Sequence, residues 1–248
     1  MTTARARTKP ELPQTIVLKR RELTEDHWLM WLEKPEGYNY KPGQYCTIGL
    51  EGIERAYSIV SAPHEESLEL FIELVPYDEG GHLTPLLYDL KPHDKVTIRP
   101  RAKGIFVFRP EYKNHLLVAT VTGVVPYLSY LRDYIHRGET GHHFYVLEGA
   151  SYWDEFGYDD ELLNIAEEHP ELLTFVPTVS RPDDDKNSDW EGEKGRVNGI
   201  VEKYVEEFQL KAEDTLIYAC GHPGMIEDVK SRMAPKGFKV DEERFWKD

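Results

Sequence analysis

His115-Leu116-Leu117-Val118-Ala119-Thr120-Val121-Thr122-Gly123-Val124-Val125-Pro126-Tyr127-Leu128-Ser129 is the stretch that decides the fold. Residues 115–120 read as a buried-type strand, and a helical run occupies 126–137. The same unit recurs downstream, with strands at 144–148, 172–179 and 215–220 and helical runs at 160–169, 199–208 and 224–233. Strand–helix alternation at this spacing predicts a parallel sheet with helices on both faces. Such a sheet binds ligands at the carboxyl ends of its strands.

Upstream the pattern differs. Runs at 15–19, 27–32, 44–49, 55–60, 68–75 and 96–99 are short, rich in β-branched and aromatic residues, and punctuated by Gly, Pro, Asp and Asn. They predict an antiparallel six-stranded β-barrel. One helix candidate, 84–90, interrupts them and ends at Lys91-Pro92. The expected architecture is therefore a barrel domain, 1–111, followed by an α/β parallel-sheet nucleotide-binding domain, 112–248. The acidic stretch 182–190 reads as a flexible loop.

Composition limits the function classes. With 248 residues, 40% of them hydrophobic, the chain can bury two modest cores. No apolar stretch approaches the ~20 residues of a membrane span. The polar opening MTTARARTKPELPQ lacks the apolar region of a secretory signal. Cys46 and Cys220 stand far apart, in no metal-ligand spacing, so no metal site is expected and a reducing cytoplasm is. The formal charge of −15 argues against nucleic acid. Basic clusters at Arg99, Arg101 and Lys103, and at Lys19, Arg20 and Arg21, suit an acidic partner if they share a face.

Arg55-Ala56-Tyr57-Ser58 carries three chemistries in four residues. An arginine fork holds a pyrophosphate, a tyrosine ring lies flat on a planar heterocycle, and a serine hydroxyl bonds a ring nitrogen. On a regular strand Arg55 and Tyr57 share one face and Ser58 takes the other, unless the strand bends. The run resembles the RxYS flavin motif of the ferredoxin–NADP⁺ reductase family. Lys41-Pro42-Gly43-Gln44-Tyr45 before it is similar to that family's PGQ element. Gly80-Gly81-His82-Leu83-Thr84-Pro85 after it resembles the glycine-led segment that binds the flavin pyrophosphate. The resemblance implies FAD held by Arg55, Ala56, Tyr57, Ser58, Gly81, His82, Leu83 and Thr84.

It extends through the second half. Ala119–Ser129 in this chain is similar to the family's TGTGxAPxxS segment, with Val121 standing at the first glycine. Cys220-Gly221-His222-Pro223-Gly224-Met225-Ile226 resembles the CGxPxM element, which implies Cys220 near the nicotinamide and Thr122, Gly123, Gly221 and Pro223 around NADP(H). Ser180-Arg181 and Gly195-Arg196 match the places where bacterial members clasp the 2′-phosphate, although the family's Ala-Arg-Tyr reads Ala150-Ser151-Tyr152. Phe245 and Trp246 match a terminal aromatic pair, the first implied to cover the flavin and the second to pack near the adenine.

The resemblance thus implies an FAD-dependent oxidoreductase, with Tyr57, Ser58, Cys220 and Phe245 around the reacting rings. It would move electrons between NADP(H) and a one-electron carrier, ferredoxin or flavodoxin, met transiently through charge by a monomer. The alternatives are a reductase component of an oxygenase system or an NAD(P)H:flavin reductase.

Overall fold

The computed structural model describes residues 11–244. Six strands, β1 (Gln14–Glu22), β2 (His27–Glu33), β3 (Tyr45–Leu50), β4 (Ile53–Ser58), β5 (Ser67–Glu73) and β6 (Lys95–Ile98), pair antiparallel in the order β4-β3-β6-β1-β2-β5. The Val60 N–H, just past β4, donates to the Glu69 carbonyl of β5 at 2.9 Å and draws the edges together. A short helix, α1 (Thr84–Tyr88), lies between β5 and β6.

Alternation along the strands sorts their side chains onto two faces. Trp28, Met30 and Leu32 of β2 and Leu68, Leu70 and Ile72 of β5 fill the barrel core. Leu29 and Phe71 take the opposite face, where they join a core that continues into the second sheet. β2 and β5 therefore read as nearly continuous apolar runs because both faces are covered.

The second sheet is wholly parallel. β7 (Asn114–Thr120), β8 (His143–Ala150), β9 (Leu173–Val179), β10 (Glu193–Lys194), β11 (Thr215–Gly221) and β12 (Lys239–Arg244) lie in the order β10-β9-β8-β7-β11-β12. α2 (Val125–His136) and α3 (Asp159–Glu168) cover the face toward the barrel; α4 (Val197–Glu207) and α5 (Pro223–Met233) cover the other. β10 and β12 are additions to the four strands expected from the sequence. Both are polar edge strands, Glu-Lys and Lys-Val-Asp-Glu-Glu-Arg, and neither carries the apolar run that marks a buried strand.

The loop 182–190 departs from expectation. Asn187 is buried within it; its amide donates to the carbonyls of Ser151 and Arg181, both at 2.9 Å, and its side-chain oxygen accepts from the Trp153 N–H at 3.1 Å. Trp190 stacks on Phe156. One buried amide with three partners pins a segment whose composition alone reads as mobile.

The two halves are locked by α2. Ser129 Oγ donates to the Ser61 carbonyl at 3.0 Å, and Tyr130 OH to the Phe106 carbonyl at 2.8 Å. Arg132 donates to Glu69 of β5 at 2.7 Å and, through two nitrogens, to Glu161 of α3 at 2.7 Å each. Tyr158 OH bonds the other Glu69 oxygen at 2.9 Å. Glu69 is buried, and this arginine is the cation that meets its carboxylate. We predict that Arg132→Met lowers unfolding stability by about 3–5 kcal/mol, the cost of stranding a buried carboxylate. Arg132→Met combined with Glu69→Gln should recover much of that loss in urea titrations; equal midpoints for the single and double variants would refute the pairing.

Candidate active site

The carboxyl ends of the parallel strands face the barrel and frame two recesses. The larger, about 840 Å³, is lined by Thr120, Val121 and Thr122 after β7, by Ser151 and Ser180 after β8 and β9, by Arg196, and by Gly221 and Pro223 at the β11–α5 turn. The smaller, about 150 Å³, is lined by Arg55, Ala56, Tyr57 and Ser58 of β4, by Gly81, His82, Leu83 and Thr84, and by Thr122 and Val125. Thr122 and Glu73 line both, so the two recesses meet there.

All four residues of the Arg-Ala-Tyr-Ser run line one recess, and β4 ends at Ser58. Tyr57 leans on the barrel core, and burial pushes its phenol far above the usual range. Arg55 is exposed; its guanidinium bonds only the Glu54 carbonyl, at 2.8 Å, and has no carboxylate partner among the described residues. It is a cation available to a phosphate. Gly81 permits a close crossing: a Cβ there would sit 1.7 Å from the Val75 carbonyl oxygen. Only glycine lets the 81–84 segment lie against the end of β5. The Thr84 hydroxyl is engaged by the Val75 N–H and carbonyl at 3.0 and 3.1 Å, and Leu83 is buried in the barrel core. Main-chain groups are what these two residues leave for a ligand. An exposed arginine, an aromatic wall and a glycine-only crossing fit a flat heterocycle carrying a diphosphate.

At the rim of the larger recess two loops are fused. A Cβ on Gly123 would lie 2.2 Å from the Cys220 carbonyl oxygen, and one on Gly221 (φ 122°) would lie 2.2 Å from Thr120 Oγ1. The His222 N–H donates to that same hydroxyl at 2.9 Å. Val121 sits in this clasp with φ 42°, a left-handed backbone that β-branched residues rarely adopt. The sequence departure from glycine is thus a departure in the side chain alone; the backbone keeps a glycine's shape.

Cys220 is buried, and burial followed by the neighbouring Glu243 carboxylate pushes its thiol well up, so it is an inert apolar contact. Glu243 of β12 was not among the residues expected from sequence. It pairs in register with Cys220, and Ser58 Oγ of the barrel reaches its carboxylate at 3.3 Å. Burial pushes its carboxyl up to about 7. Within Asp-Glu-Glu-Arg nothing distinguishes it from solvated charge; the register of β12 does.

Ser180 and Arg196 line the larger recess, while Arg181 stands beside it. Its guanidinium donates to Tyr152 OH at 2.7 Å and lies over the same ring that Lys186 covers. Lys186 is a second cation that sequence reasoning passed over, set in an acidic loop. Phe245 and Trp246 lie outside the described residues.

Comparison with known proteins places the fold and family. Residues 117–231 match the family described as oxidoreductase NAD-binding domain. A flavodoxin/ferredoxin–NADP reductase of Buchnera aphidicola subsp. Schizaphis graminum is 30% identical over 185 residues, covering 71% of this chain and 67% of that one. The chain belongs to the flavodoxin/ferredoxin–NADP reductase family. Another member, the ferredoxin–NADP reductase of Pseudomonas aeruginosa, is 29% identical over 243 residues, 89% of this chain and 90% of its own. A ferredoxin NADP⁺ reductase of Neisseria gonorrhoeae, solved with bound FAD and NADP, shares the fold at a TM-score of 0.82 and 24% identity, covering 96% of this chain and all of that one.

Two expectations follow for this reductase-family chain. Val121→Gly should be more stable than Val121→Ala, because alanine loses packing and keeps the strained backbone, by about 1 kcal/mol; the reverse order in thermal unfolding would show that the strain is absent. Glu243 keeps its proton in the folded chain above the pH at which the unfolded carboxyl loses it. Its contribution to stability therefore falls as pH rises from the ordinary carboxylate range through about 7. Glu243→Gln should remove that fall, so its stability relative to the parent should grow between pH 5 and 8.

Proposed function

We propose that the chain is an FAD-dependent reductase that moves electrons between NADP(H) and a one-electron carrier such as ferredoxin or flavodoxin. The division falls near residue 111, with the flavin on the barrel and the dinucleotide on the parallel sheet. The observation that carries this reading is the junction of the two recesses at Thr122 and Glu73, with Ser58 and Glu243 meeting across the domains.

Each residue has a task there. Arg55 anchors the flavin diphosphate, and Tyr57 supplies the flat wall for the ring. Ser58 Oγ, in the wall of the smaller recess, bonds the Glu243 carboxylate at 3.3 Å, and burial raises that carboxyl to about 7, so the pair can hold a proton there. Buried Cys220 and Val125 keep water from that junction. Arg181 and Arg196 clasp the 2′-phosphate, with Lys186 adding charge beside Tyr152. The flavin, when bound, supplies the conversion between a hydride and single electrons. The names of the relatives imply the carrier; of the basic clusters, Arg20 is folded against Tyr88 and Trp28 and Arg99 is paired with Glu54, so they do not form one free basic face.

The purified protein should be yellow and release FAD on denaturation; release of FMN instead would refute the barrel assignment. Arg55→Ala should lower FAD retention about tenfold or more, as loss of a charge-assisted phosphate contact does. Arg181→Ala should raise KM for NADPH more than for NADH, and equal effects would remove the 2′-phosphate assignment.

A further inference from the structure

One wall of the larger recess has the wrong sign for a diphosphate. Asp26 and His27, at the start of β2, and Glu73, at the end of β5, line it from the barrel, with His27 and Glu73 directly opposed across the two strands. Glu155 lines it from the turn after β8, and Glu79 stands in the turn beyond β5. Among the described lining residues Arg196 is the one permanent cation, and His222 lies on the far side.

The histidine is unusually placed. His27 is 4% exposed, and its Nδ1 lies 2.9 Å from the Asp26 carboxylate, which also accepts from Thr24 Oγ1 at 2.6 Å. A carboxylate only accepts, so the ring proton of neutral His27 sits on Nδ1. Nε2 is left as a buried lone pair with no partner. Buried polar atoms normally have partners, so this atom stands out as an unpaired acceptor in the wall. Phe71, tilted against the ring at 5.9 Å, keeps it in place.

We propose that this acidic wall takes up a proton when the dinucleotide binds, so that Glu73, flanked by Asp26 and His27, sets affinity for the anionic diphosphate through its protonation. The proposal rests on the reading that a nicotinamide dinucleotide occupies this recess. The proton comes from solvent and lands on the Glu73 carboxyl; no covalent bond of the dinucleotide changes. Glu73 is poised for it. Desolvation in the recess raises its carboxyl above the ordinary range; His27 opposes that rise, while Asp26, Glu155 and Glu79 add to it. A bound diphosphate adds further negative charge and drives the shift in the same direction.

Titration calorimetry of the FAD-loaded protein with NADP⁺ at pH 7.5, in two buffers of different ionisation enthalpy, counts the protons. At that pH the ligand's own 2′-phosphate is almost fully ionised, its pKa being about 6. The parent should take up a measurable fraction of a proton per dinucleotide bound. Glu73→Gln should cut that uptake and tighten NADP⁺ by about three- to tenfold, with a smaller gain at pH 6, as removal of one carboxylate charge near a phosphate implies. Asp26→Asn should shift affinity in the same direction. Binding with no proton uptake, or Glu73→Gln leaving both uptake and affinity unchanged, overturns the wall and leaves the dinucleotide reading standing. Failure of the parent to bind NADP⁺ at any pH overturns both.

Discussion

Arg132 meeting Glu69 is the contact on which the arrangement of the molecule depends. A carboxylate on the outward face of β5 would be costly beneath a helix unless a cation met it there. Arg132 comes from α2, whose Ser129 and Tyr130 also bond barrel carbonyls. Once α2 is seated, the carboxyl ends of β7 and β11 must look across at β4 and β5. Ser58 and Glu243, 185 residues apart in sequence, can touch only for that reason. The apolar part of the interface is continuous with the core, through Leu29, Phe71 and Phe106, so the halves are joined by packing as well as by charge.

This also changes the meaning of the run Pro126–Arg132. It resembles a nucleotide-binding signature, yet three of its side chains reach across to the barrel. Ser129, Tyr130 and Arg132 are interdomain fasteners, and Tyr127 bonds the Val118 carbonyl of β7. The backbone turn before it, at Thr122, is what reaches the recesses.

Much of the fold was legible because buried strands and amphipathic helices write their periods into the chain. β10 and β12 were not, since edge strands need few apolar residues. The pinning of 182–190 was hidden because a single buried asparagine leaves no trace in composition. In the candidate site, residues carried by local runs were readable: Arg55 to Ser58, Thr122, Gly221. Glu243, His27, Glu73 and Lys186 were not, because each depends on a neighbour far away in sequence. The division is between chemistry held in one short segment and chemistry assembled by strand register.

The clasp between the turns at 120–123 and 220–223 has a mechanical consequence. Glycine contacts against carbonyl oxygens and a shared threonine hydroxyl leave neither turn room to shift alone. The two behave as one rigid bezel, and accommodation of ligands of different bulk must come from elsewhere in the molecule. Paired substitutions across the bezel would interact strongly, each felt through the other, while insertions in either turn would displace both.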